Sequence, residues 1–288
     1  MTGIRTDLAL ECREMFAGEI SGVESLRHDN DGITVTDVKI TTEEGARQIG
    51  KPVGTYITVE IDELMIEDPE VVERGSNVVC DELKKLLADK NIDSVLVVGL
   101  GNQYITPDSI GPKTAGKITV TRHITKEAGQ GFNFDIRAVS AVAPGVLGIT
   151  GIETGEIIKG IIDRIKPTVI IAVDALAARN VRRLGTTLQL SDTGICPGSG
   201  VGNNRKELSE KTLGIPVIAI GIPMVVDAVT LAQDLMGNSA EDSNKHNEFS
   251  GMFSTDCINM IVTPNDVDVI SEQASDIIAD GINMAMHA

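Results

Sequence analysis

The chain has 288 residues and a formal net charge of −17, with 42 acidic against 25 basic side chains. A surface this acidic repels nucleic-acid phosphates and anionic lipid headgroups, so direct binding to nucleic acid or to a membrane is not expected. The sequence holds 5 Phe, 2 Tyr and no Trp, which excludes base-stacking modules and leaves the core to aliphatic residues and Met.

The N-terminal part is predicted to be β-rich. Residues 33–41 alternate apolar and polar side chains, and residues 55–61 do so again after a turn that contains Gly and Pro. A period of two is typical of strands with one buried face. Between Asp68 and Lys90 the apolar residues recur at helical spacing, which predicts an amphipathic helix.

Short apolar runs then alternate with acid-containing loops and helix-like segments. The runs span residues 95–98, 168–173 and 217–220, and runs that are apolar on both faces are typical of buried parallel strands. Isoleucines at helical spacing within residues 157–165 predict a crossover helix between the first two runs. The sequence therefore predicts an α/β fold with an open, mainly parallel sheet, helices on both faces and a β-rich N-terminal addition.

The C-terminal residues 263–286 are predicted to form a closing helix. Thr263 is placed at the N-cap, Pro264 at the first helical position and Asp266 at the third, an arrangement typical of a helix start. The preceding residues 237–251 are polar and poor in large apolar side chains, which predicts a surface loop.

Neither a membrane span nor a paired-cysteine site is predicted. The longest apolar stretch, residues 215–226, is interrupted by two prolines and a glycine and is shorter than the roughly 20 residues of a membrane helix. The first residues, MTGIRTD, precede no apolar segment, so we expect a cytoplasmic protein. The four cysteines lack CxxC spacing, so reduced, buried thiols are expected rather than zinc or disulfides.

Three aspartates accompany the predicted parallel strands. Asp108 lies in the loop after the first run, Asp174 directly follows the second, and Asp227 follows the third. Because ligands of open parallel sheets gather at the carboxyl ends of the strands, we expect these acids at one edge. Two adjacent carboxylates can share a proton and activate water for peptide hydrolysis, or hold a divalent metal. Capping the next helix is the alternative role for each acid.

Two glycine-containing loops and one histidine are weaker candidates. The turn with Gly101 and Asn102 lacks the third glycine of a dinucleotide-binding loop. Residues 197–203, which include Ser199, lack the flanks of a phosphate loop or a hydrolase elbow, so we predict a structural or substrate-facing loop. His123 lies in a β-prone segment without metal-ligand spacing, and it either flanks the site or is structural.

Seven segments distributed between residues 5 and 229 are long and specific enough to indicate a family. They are RTDLALE at 5–11, VVGLGNQYITPDSIGPK at 97–113, TRH at 121–123, RAVSAVAPGVLGITGIET at 137–154, IIAVDALAARN at 170–180, SDTGICPGSGVGNNRKE at 191–207 and TLGIPVIAIGIPMVVDAV at 212–229. They resemble the germination proteases of spore-forming bacteria, which degrade small acid-soluble spore proteins at germination.

The resemblance implies an atypical aspartic-type endopeptidase that forms a homotetramer in the cytoplasm of the forespore and in the spore core. Its two essential aspartates correspond to Asp108 and Asp174. Further candidates for substrate contact or support of this pair are His123, Asp227, Gly101, Asn102 and Ser199. No cofactor is implied, and two carboxylates without a placed histidine do not predict a catalytic metal.

The resemblance also implies a zymogen. Asp7 and Leu8 match the family's cleavage motif, so residues 1–7 are predicted as a short pro-segment and residues 8–288 as one peptidase domain. Because a pair of acids must hold a proton to act, mildly acidic pH is expected to favour self-cleavage.

Two other functions stay open. The family's fold is similar to that of hydrogenase maturation endopeptidases, in which strand-end acids and a histidine bind a metal. Against this alternative, no histidine follows Asp174 at the corresponding place. A non-enzymatic protein that binds basic partners through its charge of −17 is the second alternative.

Overall fold

A computed structural model describes residues 6–62, 68–127, 136–198, 206–235 and 260–287. The strands are β1 Val23–Asn30, β2 Ile33–Ile40, β3 Gly54–Glu60, β4 Ser94–Gly99, β5 Ala138–Val142, β6 Val169–Ala178, β7 Thr187–Ser191, β8 Val217–Asp227 and β9 Ile261–Val262. The helices are α1 Ala9–Glu14, α2 Glu43–Ile49, α3 Pro69–Leu87, α4 Ile110–Lys117, α5 Arg122–Glu127, α6 Leu147–Thr150, α7 Thr154–Ile165, α8 Glu210–Leu213, α9 Ala228–Leu235 and α10 Val267–His287.

These strands form one sheet, in which one half is parallel and the other half is antiparallel. Its order is β1-β2-β3-β7-β8-β6-β4-β5, and β9 pairs with β8. Strands β8, β6, β4 and β5 are parallel neighbours, whereas β1, β2, β3 and β7 pair antiparallel and join β8 through β7. The predicted α/β fold is confirmed, and the β-rich N-terminal addition extends the same sheet.

Helices cover both faces of the sheet, as predicted. On one face, α3, α4 and α10 pack on aliphatic side chains of the central strands, with Val79, Ile110 and Ile277 among the fully buried residues. On the other face, Ile158 and Ile162 of α7 pack against β4, β6 and β8. This double layer explains why the central strands are apolar on both sides.

Among the boundaries that differ from the sequence prediction, two have a clear physical cause. Strand β6 does not end before Asp174 but continues to Ala178, because residues 174–178 pair with β8. This pairing overrides the helical propensity of the ALAA stretch. Helix α10 begins at Val267, since the Thr263 hydroxyl donates to the Met224 carbonyl instead of capping the helix. The predicted surface loop at 237–251 lies outside the described residues.

Candidate active site

The turn after β4 holds the carboxylate of Asp108. The Asn102 N–H donates to Asp108 Oδ2 and to the Asp108 main-chain oxygen, each at 2.9 Å. Gly101 has φ +108°, and a Cβ at this position would lie 2.1 Å from the Asp108 main-chain oxygen. Only glycine therefore allows the turn to approach Asp108 this closely. The glycine-containing turn that resembles the start of a dinucleotide-binding loop therefore positions the carboxylate of Asp108.

The central strands hold Asp174. It lies within β6, opposite Gly221 of the parallel neighbour β8, and is only 4% exposed. Its Oδ1 accepts from the Ala175 N–H at 3.0 Å. A Cβ at Gly221 would lie 2.6 Å from the Leu176 side chain and 2.9 Å from the Asp174 main-chain oxygen. Glycine at 221 thus leaves room for the backbone of the acid-bearing strand.

Asp108 and Asp174 line one cavity of about 230 Å³. A third aspartate, Asp7, and several apolar residues also line this cavity. Its apolar side chains include Leu100, Ile105, Leu176, Val225 and Ile261. A cavity that combines carboxylates with apolar side chains can accept a peptide and a water molecule together.

The remaining predicted site residues have different positions. Asp227 caps α9, with its Oδ1 accepting from the N–H groups of Val229 and Thr230. The partner of Asp174 on β8 is Gly221, so Asp227 lies six residues further along the strand, roughly 20 Å away. His123 is exposed on α5 and does not line the cavity.

The loop that contains Ser199 is described only in part. Ser199 itself lies outside the described residues, whereas the preceding Pro197 and Gly198 line the cavity.

The N-terminal segment is bound at this cavity. The Asp7 N–H donates to the Ala177 carbonyl at 2.9 Å, and the Ala177 N–H donates to Asp7 Oδ2 at 2.8 Å. The next side chain, Leu8, is fully buried in an apolar cluster that includes Leu176, Ala178, Leu184 and Val226. The predicted cleavage position is therefore an ordered part of the site.

Glu11 and Gln189 hold the same segment from two sides. The carboxylate of Glu11 accepts from the N–H groups of Arg179 and Asn180, both at 2.8 Å. Gln189 Oε1 accepts from the Ala9 N–H, and its Nε2 donates to the Asp7 carbonyl. Sequence reasoning missed Gln189, because a polar residue in a short strand that alternates polar and apolar side chains carries no motif.

The environments of the Cys12 and Cys196 thiols do not favour nucleophilic catalysis. Burial raises the pKa of the Cys196 thiol, and the nearby carboxylates of Glu207 and Asp7 add to this effect. Burial also raises the pKa of Cys12, although Lys51 opposes the shift. A raised pKa keeps the thiol protonated, whereas the thiolate is the nucleophile.

Metal-binding clusters and membrane-spanning helices are both absent from the described ranges. Among these residues, no group of three His, Cys, Asp or Glu side chains is placed to hold a metal ion. The described helices also include none that is long and apolar enough to cross a membrane.

Several known proteins are similar to this chain. A family model described as germination protease matches residues 6–246. Germination proteases of Clostridium acetobutylicum and Bacillus subtilis are 47% and 40% identical, each over 99% of this chain and 96% and 93% of their own lengths. A [NiFe] hydrogenase maturation protease, HycI from Thermococcus kodakarensis, is similar at 19% identity with a TM-score of 0.33, over 50% of this chain and 80% of that one.

Proposed function

The chain belongs to the germination protease family, and from this premise we propose that it is an aspartic-type endopeptidase whose catalytic pair is Asp108 and Asp174. The observation that carries the proposal is that both aspartates line the same cavity. The proposed enzyme acts in the cytoplasm of the forespore and in the spore core, as a homotetramer without a cofactor.

The proposed reaction is hydrolysis by an activated water molecule. One aspartate takes a proton from the water as it adds to the scissile carbonyl carbon, and the other donates a proton to the leaving nitrogen. The pair needs one proton between its two carboxyl groups for this division of roles. The Asn102 N–H at Asp108 and the Ala175 N–H at Asp174 keep the two carboxylates in place.

The proposed substrates are small acid-soluble spore proteins, as the resemblance implies. Incubation of the chain with one purified spore protein of this class tests both the activity and the substrate. Fragments that appear with the unchanged chain but not with an Asp108→Asn variant support the proposal. Intact spore protein in a stable complex supports the acidic binder instead.

Peptide hydrolysis is expected to survive treatment with a chelator such as EDTA. The expectation follows from the donor set, because two carboxylates without a placed histidine make a poor transition-metal site. The measurement compares the rate of spore-protein cleavage before and after chelation and dialysis. Loss of activity that one divalent ion restores would favour the maturation-endopeptidase mechanism.

Residues 1–7 are proposed as a pro-segment that the enzyme removes by cutting between Asp7 and Leu8, leaving 8–288 as the peptidase domain. The position of Asp7 in the lining of the cavity supports this proposal. Mass spectrometry of the full chain at mildly acidic pH is expected to show loss of the first seven residues. An intact N-terminus in active enzyme, or the same cleavage in a pure Asp108→Asn variant, would contradict self-processing.

A further inference from the structure

Both polar atoms of the Gln189 side-chain amide form hydrogen bonds with the backbone of the N-terminal segment. It belongs to β7 and is 8% exposed. Its Nε2 donates to the carbonyl oxygen of Asp7 at 3.1 Å, and its Oε1 accepts from the N–H of Ala9 at 2.7 Å. The amide can adopt only this orientation, because in the reverse one Nε2 would face the Ala9 N–H donor and Oε1 would face the Asp7 carbonyl acceptor.

These two hydrogen bonds bracket Leu8 and fix the peptide group between Asp7 and Leu8. On the Asp7 side the backbone also donates to the Ala177 carbonyl, and on the other side the Leu8 side chain is fully buried. The carbonyl group of the peptide bond that the proposed self-cleavage breaks is thus held in place, and its oxygen accepts a hydrogen bond from Gln189 Nε2.

We infer that Gln189 is a catalytic residue of self-cleavage, the donor that stabilises the oxyanion formed at Asp7. This inference rests on the proposed function. Water adds its oxygen to the Asp7 carbonyl carbon, one aspartate takes the water proton, and the carbonyl π electrons move to the oxygen. An electron pair of the oxyanion then re-forms the carbonyl, the C–N bond breaks with its electrons going to nitrogen, and Leu8 leaves as an amine with a proton from the other aspartate.

Negative charge develops on a single oxygen atom in this reaction. The Asp7 carbonyl oxygen gains charge as the tetrahedral intermediate forms, so a donor already aimed at that oxygen stabilises the intermediate more than the starting peptide. Removing one such donor typically lowers kcat by about 10²–10³-fold. The short bond to Ala9 keeps the donor aligned without a change of conformation.

The test measures self-cleavage of the full chain by time-resolved mass spectrometry in Gln189→Glu and Gln189→Leu variants. At pH 7 the glutamate keeps an acceptor for the Ala9 N–H but has no donor, and leucine has neither. Both variants are expected to cleave about 10²–10³-fold more slowly than the unchanged chain. As the pH falls from 7 to 5, the cleavage rate of Gln189→Glu should approach that of the unchanged chain, because a protonated carboxyl group regains a donor. The cleavage rate of Gln189→Leu should stay equally far below that of the unchanged chain.

Hydrogen exchange at the Ala9 amide separates oxyanion stabilisation from simple anchoring of the segment. Slow cleavage in Gln189→Glu with Ala9 still protected supports the inference. The inference is contradicted if the Gln189 variants cleave at the unchanged rate. It is also contradicted if cleavage slows only in a variant whose Ala9 amide has lost its protection from exchange. If Gln189→Leu does not fold, the pH dependence of Gln189→Glu decides.

Two control variants complete the design. Thr187→Val changes a buried residue of the same strand and is expected to cleave at the unchanged rate. Asp174→Asn tests the proposed function itself. If the Asp174→Asn chain cleaves normally, the proposed function fails. If that variant is inactive while both Gln189 variants cleave normally, only the role of Gln189 fails.

Discussion

Replacement of Asp174 by Asn is expected to lower peptide hydrolysis by about 10²–10⁴-fold without unfolding the protein. The amide has nearly the same shape as the carboxyl group, and its oxygen can still accept from the Ala175 N–H. It cannot take or give the proton that hydrolysis requires. The measurement is the rate of fragment formation from a spore protein, with circular dichroism to confirm that the variant is folded.

Asp227→Asn is the matched control for this experiment. Asp227 also lies at the end of a central strand, but its Oδ1 caps α9 through Val229 and Thr230. Asparagine is an equally good cap, so this variant should keep full activity. A folded Asp174→Asn protein with full activity would show that the pair is not catalytic.

Replacement of Gly111 by Ala is expected to destabilise the protein by about 3 kcal/mol or more. A Cβ at Gly111 would lie 2.2 Å from the Leu100 carbonyl oxygen and 2.5 Å from both the Leu100 nitrogen and the Val173 carbonyl oxygen. All three atoms belong to the main chain, so no side chain can rotate to make room. Helix α4 would have to move away from β4 and β6, and the adjacent turn with Asp108 would move with it.

Gly116→Ala, in the same helix, is the control for the Gly111 experiment. Gly116 is exposed, and a Cβ there would have no heavy atom within 4 Å. Alanine favours the helical backbone, so this variant should be more stable by about 0.5–1 kcal/mol. The free energy of unfolding of each variant is measured by denaturant-induced unfolding and compared with that of the unchanged chain. A Gly111→Ala protein as stable as the unchanged chain would contradict the close packing of α4 on the sheet.

Local patterns in the sequence were sufficient for the main elements. The helical spacing of apolar residues predicted α3 and α7, and the continuous aliphatic runs predicted β4, β6 and β8. These patterns succeed because the burial of a helix face or a central strand imposes its own period on neighbouring residues. The seven family-specific segments likewise indicated the germination protease family, which the comparisons confirm.

Tertiary contacts decided which acids share a cavity and what binds the N-terminal segment. Asp108 and Asp227 both accompany central strands, yet only Asp108 lines the cavity with Asp174, because the Asp227 carboxylate accepts from the N–H groups of Val229 and Thr230 at the start of α9. Gln189 lies 182 residues from Asp7 along the chain, and β3 and β8 flank its strand. A hydrogen bond between residues so far apart depends on the order and register of the strands, which no local pattern encodes.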